Sequence, residues 1–423
     1  MSRPELRVGP LPGGPGRVSA AIDLPDGETR ILKLAERTDH LSGPDRSPLL
    51  DGDYEANGGD LTWAAVGVIP VAMNLGADLV VDGVVQKGMR GRLAEFSEIW
   101  HGWRPDLFEA LEVRAEGEVT LPADRSGSVV AFSGGLDSLH TLRHARQVSS
   151  GDPVVAVSLW GFDYRKRDSY FLEVARHAAE VLDGIGIRLA LVETNWSEVG
   201  SVSISMDYAT GLVSALQPFG NAFSMAWTGA HHHRDLAEQF IPCSHNPFTD
   251  HLMSSNQFPV ETFGYDHSRL EKAEDIAGDP ASLGLLRVCN AFNCGVCEKC
   301  QRTRWGLFAA GVLRPPSFGW TLPLPRPWLV VSNPWQQAIF DSMWTPIMER
   351  AEASSNGSVG LWKLRIQYRM IGWQVEGRGP WRVPLIKPFF RFLAEKEKRF
   401  RGAVEKLRWR LRGRRWKRYD HQS

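Results

Sequence analysis

Cysteine is scarce in this chain. Five occur in 423 residues, and four of them fall between Cys289 and Cys300. Disulfide-stapled secreted domains spread paired cysteines through a short chain, so that class is excluded and the expected compartment is the cytoplasm. An uninterrupted apolar run of bilayer length is also missing. The nearest candidate, LTWAAVGVIPVAMNLGADLVV over residues 61–81, is broken by Pro70, Asn74, Gly76 and Asp78. It reads as a buried helix to Leu75 and then a short strand. The opening MSRPELRVGPLPGGPG lacks the apolar centre of a signal peptide. Net charge is absent too, since 49 basic and 49 acidic residues cancel. The cancellation is uneven: Pro380 to Ser423 holds 15 Lys and Arg against four acidic residues, leaving an acidic body and a basic tail.

What is present has the rhythm of an α/β protein. Residues 1–125 mix short strand patterns (RVSAAIDL, ALEVRAEGEVTL) with a helical one (GRLAEFSEIWHGW) and read as a small N-terminal α+β domain. After Pro122 the chain alternates strand, helix, strand, helix, strand through GSVVAFS, SLHTLRHARQV, PVVAVSLWG, DSYFLEVARHAAEVLDGIG and IRLALVETN. That alternation predicts a parallel sheet with crossover helices over residues 126–315, and the continuously apolar strands predict that both sheet faces are covered. RPPSFGWTLPLPRPW then starts a Pro- and Trp-rich connector, and residues 316–423 end in a basic helical extension.

One junction in this pattern is odd. VVAFSGGLDSLHTL, residues 129–142, places glycines and serines where a strand runs directly into a helix. The first turn of a helix leaves backbone N–H groups unpaired and carries partial positive charge. A phosphate can approach that backbone only where no Cβ intervenes, which accounts for Gly134 and Gly135, while Ser133 and Ser138 can add hydroxyls. No Lys follows the glycines and the spacing is not GxGxxG, so neither of the commoner phosphate loops applies.

A second motif lies downstream, RVCNAFNCGVCEKCQRTRWGLFAAG. Cys289, Cys294, Cys297 and Cys300 have the spacing to wrap one tetrahedral Zn²⁺ with no open position, a structural and not a catalytic site. An iron–sulfur cluster is the rival reading of the same four thiolates.

Ser133-Gly134-Gly135-Leu136-Asp137-Ser138 resembles the SGGxDS loop of the PP-loop ATP pyrophosphatase superfamily, whose fold is the parallel-sheet, adenine nucleotide alpha hydrolase-like domain. The loop followed by the cysteine cluster and Gln301-Arg302 resembles the 7-cyano-7-deazaguanine synthase (QueC) family over residues 127–312. Cys289 lies closer to Cys294 than that family leads one to expect, and residues 1–125 and 316–423 have no counterpart in it. The resemblance implies ATP cleavage to AMP and pyrophosphate, with Ser133, Gly134, Gly135 and Ser138 around the β- and γ-phosphates and Leu136 in the same ATP-binding loop. Asp137 would orient the loop or act through Mg²⁺, and the metal cluster would be structural Zn²⁺. It further implies that a carboxylate or carbonyl oxygen is activated as an adenylate and attacked by ammonia or an amine. Residue 2 is Ser, so an N-terminal cysteine glutaminase is not expected.

The strand-end rule for open α/β sheets nominates further site residues. SLWGFDYR would bring Trp160 and Asp163 to adenine or ribose. QFIPCS reads as a fourth strand feeding a polar loop, which nominates Ser244, His245, Asn246 and Asp250 for a substrate pocket. VETF followed by GYDHSRLEKAEDIAG is a further strand and helix that puts Asp266 and Arg269 on the same rim. Asp137, Ser138 and Arg269 are the catalytic candidates, the last for its planar fork toward phosphate or carboxylate. Ser268 has capping-box spacing to Glu271, which gives it a structural explanation. His231, His232 and His233 read as a helix end, and Cys243 as a small buried residue.

The tail interleaves basic residues with Trp409, Trp416 and several Phe, and ten of the 16 tryptophans lie after residue 304. Such a segment suits RNA, an anionic surface, an acidic partner or simple solvation. The leading expectation is a QueC-like, adenylate-forming ligase acting on a small carboxylate, with a homo-oligomer admitted. A PP-loop enzyme that modifies tRNA and a non-catalytic, zinc-stabilised nucleotide-binding subunit are the alternatives.

Overall fold

The computed structural model describes residues 3–41, 47–50, 59–162, 169–239, 243–289, 293–318, 340–354 and 358–375, with residues 392, 396 and 399. The chain divides into two compact units, residues 1–133 with 140–265 and residues 134–139 with 266–423.

The first unit is built on one mixed, mostly parallel sheet of ten strands. They are β1 (Glu5–Pro10), β2 (Arg17–Asp23), β3 (Thr29–Glu36), β4 (Asp78–Gln86), β5 (Val113–Val119), β6 (Ser128–Ala131), β7 (Val154–Trp160), β8 (Arg188–Thr194), β9 (Met225–Gly229) and β10 (Val260–Phe263). Their order across the sheet is β10-β9-β6-β7-β8-β3-β2-β1-β4-β5. The pairs from β10 to β8 are all parallel, as the alternation of strands and helices predicts. All of β6 and all but one residue of β7 are buried, as strands covered on both faces should be.

Helix α1 (Thr62–Leu75) is buried over its first twelve residues and ends on Gly76 in the left-handed region at φ 62°. Glycine tolerates that conformation without Cβ strain, so the helix stops where the sequence stops being apolar. Strand β4 follows at once, matching the helix-then-strand reading of residues 61–81. Around these elements lie α2 (Met89–Trp103), α3 (Leu136–Val148), α4 (Ser169–Asp183) and α5 (Ile204–Leu216). Helices α1 and α5 pack closely, Ser214 Oγ donating to Trp63 O at 2.6 Å, and the Trp196 indole N–H, from the turn before α5, donates to Gly67 O at 2.7 Å.

A domain boundary at residue 125 is not where the structure divides. β3 pairs antiparallel with β8, Leu34 opposite Thr194 and Glu36 opposite Val192, so strands from both sides of that boundary form a single sheet. Asn195 tightens the seam by accepting from Lys33 N and donating to Ile31 O, both at 2.8 Å. Leu6, Trp63, Val155, Trp196 and Phe258 belong to one continuous apolar core. The hydrophobic surfaces of the two stretches cover each other, and a local reading of strand patterns does not reveal that.

Of the expected strand QFIPCS, residues 240–242 lie outside the described residues. Gln239 ends a short helix, α6 (Arg234–Gln239), and Cys243 and Ser244 lie in irregular structure. The strand beside β6 is MAWTG, β9, which comes earlier in the chain. His231–His233 precede α6 and lie outside any helix. VETF is a strand, β10, as read.

The second unit is helical. It contains α7 (Arg269–Ala277), α8 (Pro280–Leu285), α9 (Glu298–Ala309), α10 (Thr345–Ala353) and α11 (Ser358–Val375). Ser268 accepts from Glu271 N while Glu271 reaches back to Ser268 N, so the capping box that starts α7 forms as its spacing predicts. A Cβ on Gly360 would lie 2.4 Å from the Phe308 ring, so α11 rests tightly on α9. These contacts run across residue 315, the expected end of the ATP-binding domain. Among the described residues no helix is long and apolar enough to cross a membrane.

Candidate functional site

Two groups of functional side chains emerge, one in each unit. The first begins at the glycine turn. Gly134 has φ +72°, and a Cβ there would come within 3.0 Å of Leu285 O. Its own carbonyl accepts from Arg287 N at 2.6 Å. Gly134 is thus required twice, for its backbone angle and for its close approach to residues 285–287. α3 opens two residues later, and Ser138 uses its hydroxyl locally, donating to Gly135 O at 3.0 Å.

Asp137, in the first turn of α3, meets two cations. Its Oδ2 lies 3.1 Å from an Arg269 guanidinium nitrogen, and its Oδ1 lies 3.4 Å from Lys272 Nζ. Arg269 and Lys272 are three apart on α7 and so share a face. The Lys272 side chain is only 2% exposed. Burial pulls its ammonium below the ordinary lysine range, and Asp137 opposes that pull. Arg302 from α9 is buried as well, and it pairs with Glu298 at 3.1 Å. Burial depresses its pKa first, with Glu298 opposing and Arg269 adding to the depression. The Nε atoms of Arg269 and Arg302 are buried without a hydrogen-bond partner. Such donors are costly unless something completes them, and an anion would.

This arrangement bears on the role of Asp137. Both of its oxygens already face cations, so a Mg²⁺ ion would have to displace Arg269 and Lys272 to be held there. This geometry suits the orienting role expected of Asp137. Lys272 and Arg302 do not stand out in the sequence, although the i, i+3 spacing of Lys272 from Arg269 is a usable signal.

Arg287 leads directly into the cysteine cluster. The four Sγ atoms of Cys289, Cys294, Cys297 and Cys300 lie within 4.8 Å of one another, with Cys294 and Cys300 at 3.9 Å. A tetrahedral ion with Zn–S bonds of about 2.3 Å needs sulfurs about 3.8 Å apart, so the four cysteines could hold a metal ion such as zinc. Backbone N–H groups of Cys294 and Cys297 point at the sulfurs of Cys289 and Cys294, both at 3.4 Å. Hydrogen bonds from its neighbours favour the Cys289 thiolate, while burial and those neighbours push the Cys300 thiol up. Four crowded sulfurs cannot all carry charge without a cation among them, which is the condition a bound metal removes. Asn293 and Gly295 supply the positive φ angles, 51° and 73°, that fold the intervening loop. Asn293 also accepts from Val288 N at 2.8 Å and donates to Leu286 O at 2.7 Å. The segment that receives the glycine turn is therefore fixed on both sides.

The second group lies in the first unit, at the carboxyl ends of the parallel strands. β6 has β7 on one side and β9 on the other, so the strand order reverses there, and open α/β sheets bind ligands at such reversals. Ser133 stands exposed just beyond β6, and His231 follows β9. The His231 ring lies 5.3 Å from His245 and stacks on Tyr208. His245 is buried, with Nδ1 3.1 Å from Asp250 Oδ2. Asp250 also accepts from Asn246 N at 3.0 Å and from the Thr262 and Tyr265 hydroxyls, each at 2.7 Å. Burial and the adjacent Asp250 carboxylate push the Tyr265 phenol far above its ordinary value, so it stays a donor. His245 Nε2 is buried without a partner.

The remaining nominees have local duties. Ser244 accepts from Ala209 N at 2.5 Å. Asn246 shapes its own loop, accepting from Phe248 N and Thr249 N and donating to Cys243 O. Cys243 is half-buried, and burial raises its thiol pKa. Asp266 is largely exposed beside His267. Trp160 ends β7 with its ring against His40 and under the Arg37 guanidinium, 5.6 Å from each. Asp163 and the residues of the basic tail, apart from 392, 396 and 399, lie outside the described residues.

The class defined by these observations is an α/β protein with a largely parallel sheet and a four-cysteine group able to hold a metal ion. No protein-family model, curated protein or solved structure matches the chain.

Proposed function

We propose that the protein is an ATP-dependent, adenylate-forming ligase of the PP-loop class, similar to the QueC family. The observation that carries this reading is the glycine turn at the start of α3, with Asp137, Arg269, Lys272 and Arg302 grouped in the same unit. Two glycines just ahead of a helix start, the buried Lys272 and Arg302, and the half-buried Arg269, with both arginines keeping an unpartnered Nε, suit a polyphosphate. ATP would place its pyrophosphate on residues 133–138. A substrate carboxylate would attack the α-phosphorus, giving an acyl-adenylate and pyrophosphate. Arg269 and Lys272, oriented by Asp137, would stabilise the charge developing on the departing pyrophosphate. Ammonia or an amine would then displace AMP. The cysteine cluster takes no part in these steps. It supplies a closed structural metal site that fixes residues 285–289, against which Gly134 rests.

Incubation of the full chain with ATP, Mg²⁺ and hydroxylamine tests this reading. Release of AMP and pyrophosphate that is lost in Lys272→Met, with the fold retained, supports it. ATP that binds but is never cleaved leaves a nucleotide-binding subunit and sinks the ligase.

A further inference from the structure

Helix α11 presents two opposite faces. Gly360, Leu364, Gln367 and Ile371 are buried, and the other side carries Trp362, Arg365, Arg369 and Trp373, all exposed. The outer residues recur at i, i+3, i+7 and i+11, so they form one stripe along the helix. Trp362 is 58% exposed and Trp373 48%, two of the largest apolar side chains placed where a helix normally keeps small polar ones. Half-buried Ile366 and Met370 run alongside. The tight seat of Gly360 on Phe308, and the 3.1 Å hydrogen bond between Tyr368 and Thr345 from the preceding helix, fix which way the stripe points.

We propose that this face of α11 docks on an anionic lipid surface. Tryptophan and arginine side by side suit the boundary between headgroups and acyl chains, where the indole sits in the interface and the guanidinium meets phosphate. Charge complementarity extends beyond the helix. The sequence from Pro380 to Ser423 carries a net charge of about +11 and interleaves its Lys and Arg with Phe, Leu and Trp. The same apolar component weighs against a nucleic acid. Single strands need aromatic platforms in a basic groove, whereas these two indoles are about 16 Å apart on a convex helix with Ile366 and Met370 between.

Co-sedimentation of the full chain with vesicles tests the proposal. Phosphatidylcholine mixed with phosphatidylglycerol should retain the protein, and phosphatidylcholine alone should not. The pair Trp362→Ser and Trp373→Ser should lower partitioning by about tenfold, and the Trp→Phe pair should restore most of it. The pair Arg365→Gln and Arg369→Gln should weaken binding and flatten its salt dependence. Unchanged circular dichroism melting would show that these outward residues are not needed for folding. Failure of the wild-type chain to bind the anionic vesicles would overturn the proposal. So would serine variants that bind like wild type, or single-stranded RNA that binds with the same dependence on both tryptophans.

Discussion

Two aspartates, one in each unit, occupy opposite situations. Asp250 accepts from a backbone N–H and two hydroxyls and faces a ring nitrogen of His245. Asp137 faces an arginine and a lysine, and two arginines of its unit keep an unpartnered Nε. The first carboxylate is saturated by its own fold and locks a loop to β10. The second is a scaffold for charges that exceed what the fold itself requires. A carboxylate whose partners all belong to its own loop and strand speaks for structure, and one grouped with arginines that keep an unpartnered Nε speaks for a ligand.

Removing the metal group should break the comparison most completely. Structural zinc contributes on the order of 10 kcal/mol of binding free energy, which is folding free energy for the part that holds it. Cys300→Ser should abolish metal retention, measured by inductively coupled plasma mass spectrometry. It should also remove the melting transition of the second unit while leaving that of the first.

Next come the aspartates themselves. Asp137→Ala takes the carboxylate from the buried Lys272 and the half-buried Arg269 and should cost about 3–5 kcal/mol in urea unfolding. Asp250→Asn keeps one acceptor oxygen and should cost about 1–3 kcal/mol. Equal losses would erase the distinction drawn between the two sites.

Gly134→Ala tests the turn alone. The left-handed backbone angle costs a residue with a Cβ about 1–2 kcal/mol, with the approach to Leu285 O added. The variant should unfold at lower urea and bind ATP more weakly, while metal content stays unchanged.

The smallest effect concerns pH. Asp60 is half-buried, and desolvation raises its pKa above the ordinary carboxylate value despite hydrogen bonds from Thr62 and Gln86. The native state therefore holds that proton more tightly than the unfolded chain. Its contribution is complete below the unfolded value and is lost as pH rises through the folded one. Stability measured from about pH 4 upward should fall less steeply in Asp60→Asn than in wild type.

How much of this is legible in the sequence varies with the range of the interaction. α1, the parallel core strands, the capping box at Ser268 and the four-cysteine group are all readable, because each is written in a short local pattern. β9 escapes notice because MAWTG is brief, and pairing with β6 and β10 is what makes it a strand. The cation group is half visible. Arg269 stands out beside a capping residue, while Lys272 and Arg302 resemble ordinary helix-surface residues until tertiary packing buries them. Asp250 is nominated with Asn246, but only the structure separates a carboxylate that anchors β10 from an amide that merely shapes its loop.

The β3–β8 seam bears on how this protein should be cut for experiment. Severing the chain near residue 125 would strip β8 of its neighbour and uncover the edge of β3. Each fragment would then display a row of unpaired amide and carbonyl groups along its new edge strand, a template for aggregation. The first 265 residues are better expressed as one piece, and insolubility of a shorter fragment would report on the cut.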